Sequence, residues 1–399
     1  MLMNTPRLFA RMKADGLDAV IATSPENVTY ASGFWPMSQW IRRGPQNYVL
    51  VPGEGKGDSC IVASTGLIDL VADKVFDVDV AITDVRRYGL FVVETDAAAQ
   101  LDAVERRLGG MLSEKDHGDA VAALVAAIKE RGLERATIGI DDLGILTDYY
   151  DKLRAALPGV TFVRANDVFR HARAVKTETE VERIRRACHI AEHSIDAALA
   201  VAKVGATELD MAAAFHSTTV REQGVPVLGC VAAGPHTAFA NVQPSARKIQ
   251  HGDIIRFDVG GRYNHYRADI ARNAVLGEPS AKVKTYHHAI RAGLLRAIEM
   301  VKPGAKAADI FEASVETVRR EGIPHYRRNH VGHGIGLDGY DAPDFSPSSK
   351  EVLEENMVIC LETPYYELGF GGLQVEDMIR VTRDGFESLM STGSELRVL

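Results

Sequence analysis

The sequence predicts a two-part α+β chain: a smaller α/β unit over residues 1–170 and an α+β unit over residues 171–399. Three observations carry that reading. The chain has 399 residues, well beyond the roughly 100–200 typical of one domain. Its first part alternates short apolar runs with helical periodicity. Its second part sets pairs of amphipathic helices beside successive strand-like segments.

In the first part an amphipathic stretch at 8–12 precedes an apolar run at 18–22. Further strand-like runs at 48–51, 61–63 and 136–140 are interleaved with helical patterns at 120–128 and 149–157. No glycine-rich phosphate loop follows any of these strands, which argues against nucleotide binding. A boundary is expected in the basic, mixed segment 170–177, where Thr177 with Glu180 three residues on makes a capping box. Val181, Ile184, Cys188, Ala191, Ile195 and Ala198 then recur at helical spacing. A second helix is expected at 208–222, strands at 228–233, 254–259 and 268–276, and two more helices at 281–301 and 307–320. Strands at 357–362 and 374–382 flank a turn-rich segment at 364–372.

Hydrophobic residues at 46% and charged residues at 25% describe a soluble globular chain that folds throughout. A net charge of −8 argues against nucleic acid as a partner and leaves a small molecule or short peptide as the expected one. Cys60, Cys188, Cys230 and Cys360 are scattered in apolar contexts without a CxxC pair, so they read as reduced core thiols. The N-terminus lacks a secretory apolar core and no apolar run approaches the ~20 residues of a membrane span, so a cytoplasmic enzyme with no membrane partner is expected.

The chemistry concentrates in the second part. Asp258 and Asp269 sit on two strand-like segments around a polar turn. A hairpin centred on Tyr263 and Asn264 would set them directly opposite, on one face. Taken alone, such a pair reads more readily as a turn cap or as a partner of Arg256 or Arg272 than as a metal site. The rest of the chain argues for metal. His333 lies among glycines in Gly332-His333-Gly334-Ile335-Gly336, a poor setting for core packing. Glu362 and Glu376 each terminate or interrupt an apolar run, where an unpaired carboxylate is costly. Four carboxylates and one neutral imidazole balance two divalent cations, and the hard donor set suits Mn²⁺, Co²⁺, Fe²⁺ or Zn²⁺.

FDVG, ADIAR eleven residues after the first aspartate, GHGIGL, the glutamate of LETPYY and VED resemble, in this order, the pita-bread metallohydrolases. That family includes methionine aminopeptidase, aminopeptidase P, proline dipeptidase and creatinase. The resemblance implies a pita-bread domain behind a smaller creatinase-like domain, within a homodimer. It implies two divalent metal ions on Asp258, Asp269, His333, Glu362 and Glu376, with Asp269 bridging and Glu362 also carrying the proton. The full set is kept here, unlike in creatinase.

Three departures fall on the substrate side. Asn241 stands where the family usually has a first histidine, Tyr340 where a second one is usual, and Gln374 where an arginine precedes the last glutamate by two residues. Asn241 and Tyr340 retain hydrogen-bond donors for an oxyanion, and His236 and His330 are candidates to compensate. The expected function is therefore a dinuclear hydrolase of a C–N bond, most simply an Xaa-Pro dipeptidase or aminopeptidase using a metal-activated water. A specialised hydrolase or lyase of a small metabolite is the first alternative, and a non-catalytic binding module the second. Trp35 and Trp40, near Arg42 and Arg43, are candidates to reach a partner's site across a dimer.

Overall fold

The computed structural model describes residues 2–41, 44–73, 82, 84–96 and 100–399, which divide into a unit Met1–Arg173 and a unit Ala174–Leu399. The first unit is built on six strands: β1 (Ala19–Ala22), β2 (Tyr48–Pro52), β3 (Cys60–Ser64), β4 (Val85–Tyr88), β5 (Thr137–Ile140) and β6 (Thr161–Arg164). They order as β4-β3-β2-β1-β5-β6. β1 runs antiparallel to β2 and parallel to β5, and its four residues are all buried.

The helix Ala120–Glu130 covers this sheet with Ala120, Ala123, Leu124, Ala127 and Ile128, a stripe at the spacing an amphipathic helix requires. Burying Leu124 fully is worth about 1.5–3 kcal/mol. Trp35 and Trp40 are half-buried in this unit, with Trp40 Nε1 donating to Thr29 Oγ1 at 3.2 Å. Arg42 and Arg43 lie outside the described residues. The segment expected to mark the boundary is helical in its first half, because the helix Asn166–Ala174 runs through Arg170.

In the second unit the helix Glu178–Val201 opens on the expected capping box. Glu180 N donates to Thr177 Oγ1 at 3.4 Å while Thr177 N donates to Glu180 Oε2 at 2.8 Å. It packs on the helix Glu208–Arg221, and the helix Ala281–Glu299 packs on Ala307–Glu321. Ile290, Leu294 and Val318 from the second helix pair join Ile359 and Leu361 of the sheet in one core. The strands are β7 (Val225–Ala233), β8 (Ile254–Tyr263), β9 (Tyr266–Arg267), β10 (Ile270–Val275), β11 (Gly332–Gly334), β12 (Asp341–Asp344), β13 (Val358–Glu362), β14 (Tyr365–Glu367), β15 (Gly371–Leu373) and β16 (Glu376–Val381). The main sheet orders as β12-β11-β13-β16-β10-β8-β7, with β9 paired to β8. The turn-rich segment between the last long strands carries its own small hairpin, β14 with β15.

The hairpin register corrects one expectation. The turn is centred on Asn264 and His265, which hold φ of 46° and 74°, and it is closed by Tyr263 opposite Tyr266. Two positive φ values are what a two-residue hairpin loop demands, and asparagine tolerates them better than tyrosine. Ala271, not Asp269, therefore lies opposite Asp258. The slip of two residues preserves the face, so both aspartates still point the same way.

Candidate metal centre

Antiparallel pairing lines up the acidic residues in two neighbouring rungs. On the first, Ala271 of β10 pairs with Asp258 of β8 on one side and Glu376 of β16 on the other, and Glu376 pairs with Glu362 of β13. On the second, two residues along, His333 of β11 pairs with Cys360, which pairs with Met378. Asp269 N contacts Met378 Sδ at 3.3 Å and so joins this rung. Residues paired directly or two apart share a face, so all five expected ligands converge. Oxygens of Asp258, Asp269 and Glu376 lie within 4.8 Å of one another, as do ligand atoms of His333, Cys360 and Glu376.

Two glycines permit this convergence. A Cβ on Gly260 would stand 2.0 Å from the carbonyl oxygen of Ala268, directly beside Asp269. Gly332 holds φ of 148°, and a Cβ there would stand 2.1 Å from the carbonyl oxygen of Cys360.

Burial dominates the electrostatics. It raises the Asp258 carboxyl to about 6, opposed by Arg256 and reinforced by Glu362. It pushes Asp269 and Glu376 well above the usual carboxylate range, the other carboxylates adding to the rise, and it also raises Glu362. His333 is lowered to about 4 by burial and is therefore neutral at pH 7. Its Nδ1 lies 3.0 Å from the carbonyl oxygen of Gly334. A carbonyl only accepts, so Nδ1 carries the proton and Nε2 presents its lone pair. Cys360 is fully buried and its thiol is pushed far above its ordinary range, which makes it a poor ligand beside three carboxylates.

Asp269 Oδ1 is buried without a hydrogen-bond partner among the described residues. Oxygens facing oxygens in a buried cluster repel unless a proton or cation lies between them. The residues thus fit a divalent cation.

Glu362 is the most connected of the five. Gln374 Nε2 donates to its Oε2 at 3.2 Å, His330 Nδ1 lies 3.3 Å from its Oε1, and Arg328 Nη2 stands 3.8 Å from the same oxygen. Tyr340 stacks on the His333 ring at 4.0 Å between centroids and 27° between planes. Its hydroxyl stays protonated, held up by desolvation and by the nearby carboxylates of Glu362, Asp269, Glu376 and Asp258.

His236 and Asn241 are not brought into hydrogen-bond or ion-pair contact with these carboxylates. His236 Nδ1 lies 3.1 Å from the buried Glu208, which also accepts from Ala233 N and from Ser245 N and Oγ. Asn241 is exposed. Arg272 turns to Asp377 at 2.7 Å and to the Glu376 carbonyl oxygen at 2.7 Å. Sequence reasoning missed Gln374 as a partner of Glu362, and missed Arg328. It listed Arg256 only as a rival partner for Asp258. The available signal was period two: Arg256 and Gln374 each precede a ligand by two residues and must share its face.

The profile of metallopeptidase family M24 matches residues 182–383, and that of the creatinase/prolidase N-terminal domain matches residues 5–175. The Xaa-Pro dipeptidase of Pyrococcus furiosus is 32% identical over 237 residues, 59% of this chain and 68% of that protein. The Xaa-Pro dipeptidase of Lactobacillus delbrueckii is 27% identical over 295 residues, 73% of this chain and 80% of that one. Among solved structures, the prolidase of Pyrococcus horikoshii superposes with a TM-score of 0.77 at 25% identity, over 98% of this chain and 99% of its own. The X-Pro aminopeptidase of Thermotoga maritima shares the fold with a TM-score of 0.78 at 23% identity, over 99% of both chains. With its acidic cluster in place inside the matched span, the chain belongs to metallopeptidase family M24 and is a metal-dependent hydrolase of the peptidase type, carrying the family's pita-bread domain behind a creatinase-like one.

Proposed function

We propose that this chain is a dinuclear Xaa-Pro dipeptidase, or an aminopeptidase of the same kind, with Asp258, Asp269, His333, Glu362 and Glu376 as its metal ligands. The observation that carries this reading is the partnerless Asp269 oxygen inside a cluster of four carboxylates and a neutral imidazole. The names of the relatives at 32% and 27% identity support the substrate class.

Bound divalent cations supply Lewis-acid polarisation of the scissile carbonyl and acidify a water. Glu362 takes the proton at Oε1 and returns it to the leaving nitrogen. His330 flanks that oxygen with Nδ1 3.3 Å away; burial, then Arg328, holds its pKa below the ordinary value. The protonated Tyr340 hydroxyl donates to the developing oxyanion, and Asn241 lines the substrate side from its exposed turn. His236 orients that loop through Glu208. The chain works in this reading as a cytoplasmic homodimer, whose assembly light scattering of the purified protein reads.

Chelation should abolish turnover of Xaa-Pro dipeptides and Mn²⁺ or Co²⁺ should restore it; full activity in metal-free protein overturns the proposal. Tyr340 and Asn241, both exposed and neither an imidazole, favour one other reading, a hydrolase or lyase of a small non-peptide metabolite. A panel of Xaa-Pro dipeptides separates the two, since silence across the panel with metal bound supports the second.

A further inference from the structure

Among the described residues, Arg256 is the largest charged side chain with no exposure at all. It lies one rung below Asp258 and faces the same side of the sheet. Its neighbour on that rung is Asn273 of β10. Asn273 Nδ2 in turn donates to the carbonyl oxygen of Gln374 at 2.6 Å, and Gln374 N donates back to Asn273 Oδ1 at 3.2 Å. The guanidinium divides its donors between two places. Nη1 reaches Gln374 Oε1 at 2.9 Å and Asp258 Oδ2 at 3.4 Å. Nη2 donates to the carbonyl oxygens of Phe239 at 2.7 Å and Ala240 at 3.0 Å. The plane of the group lies over the Tyr366 ring, 5.0 Å from its centroid.

These contacts join two parts of the site. Gln374 passes the Arg256 contact on to Glu362, while Phe239 and Ala240 are the two residues before Asn241. The Phe239 carbonyl oxygen also accepts from Val242 N at 3.2 Å, so the turn that presents Asn241 is closed on the same oxygen that Arg256 holds. A rigid, planar fork with five donors suits this task, and an ammonium does not.

We propose that Arg256 is a positioning residue that fixes the Phe239–Val242 turn, and with it the substrate side, to the carboxylates Asp258 and Glu362. The inference rests on the placement of the substrate side given above, but its first test does not need a substrate. Amide hydrogen exchange on the full chain is compared for R256K, R256M and Q374M. Lysine keeps the charge and the fold while forfeiting the bidentate geometry; Q374M cuts the link to Glu362 and leaves the carbonyl contacts.

In R256K and R256M the amides of Phe239 and Val242 should exchange at least about tenfold faster, while those of the helix Glu178–Val201 change less than about twofold. In Q374M the turn should stay protected. An unchanged turn in both arginine variants, or equal acceleration everywhere, overturns the proposal and leaves Arg256 as a core-filling group. If only R256K folds, its turn protection decides the matter. With Xaa-Pro dipeptides and Mn²⁺, R256K should raise KM at least about tenfold with kcat falling less. If wild-type protein turns over no dipeptide, the proposed function fails while the exchange result still judges this inference.

Discussion

Two aspartates with buried carboxylate oxygens, one in each unit, show how a carboxylate reveals its task. Asp141 follows β5 in the first unit and is fully buried. Its Oδ2 accepts from Ser24 N at 2.9 Å, Ser24 Oγ at 2.6 Å and Asn27 Nδ2 at 2.6 Å, and its Oδ1 accepts from Leu143 N. Asp269 in the second unit faces other carboxylates, with one oxygen left without a donor among the described residues. Both are poorly solvated. One is surrounded by donors and holds a loop in place; the other is surrounded by acceptors and needs a cation. Burial alone therefore says little, and the sign of the neighbours decides.

The sharpest way to break this comparison is to remove each acid in turn. Asp269→Asn should lose metal and cut turnover by about a thousandfold or more, as expected when a cation worth several kcal/mol in the transition state is lost. Metal content by atomic spectroscopy and dipeptide turnover read the result, and retained stoichiometric metal would equate the two aspartates. Tyr340→Phe, which removes one donor while leaving the ring on His333, should lower kcat on the order of tenfold to a hundredfold with metal content unchanged.

Asp141→Ala should act on stability instead. It leaves several buried donors unsatisfied and is expected to cost about 3 kcal/mol in urea denaturation, with normal metal content in the folded fraction.

The comparison also predicts a pH dependence for metal-free protein. A carboxyl with a folded-state pKa above its unfolded value binds more protons when folded. Its contribution to stability is full below about pH 4 and is lost as pH rises through the folded value. Asp258 sets a window ending at about 6, and Asp269 and Glu376, both pushed well above the usual carboxylate range by burial, act in the same direction. In chelator, the unfolding temperature should fall between pH 4 and 7, and Mn²⁺ should reverse the fall at pH 7. A flat profile would mean that the cluster is not strained by its own charge. The smallest effect is expected from His236→Ala, within about threefold in turnover, because the buried Glu208 keeps its donors from Ala233 N and from Ser245 N and Oγ when the imidazole is removed.

Much of this was legible in the chain. The capping box at Thr177, the four long helices of the second unit and the strands ending in Glu362 and following Gln374 all come from local patterns, and local patterns act within a few residues. The hairpin turn falls one residue later than local pattern suggests, because Asn264 and His265, not Tyr263, hold the two positive φ values of the loop. His236 is a candidate to compensate for Asn241 and Tyr340 by its place in the sequence. Its partner, Glu208, lies 28 residues earlier on a helix, and no local pattern reports such a contact.

By itself the sequence determined the donor types: four carboxylates, one imidazole and no available thiolate, spaced on strand-like segments so that each side chain has a defined face. Side-chain period and chemical identity are properties of the chain, independent of what packs against it. Only the tertiary structure decided which strands stand beside which, and hence that Glu376 lies between Asp258 and Glu362 and that Asp269 falls on the rung of His333. It alone also set the buried guanidinium of Arg256 between those carboxylates and the turn before Asn241. Long-range pairing is a matter of register and packing across the sheet, and the free energy that selects it is spread over the whole core.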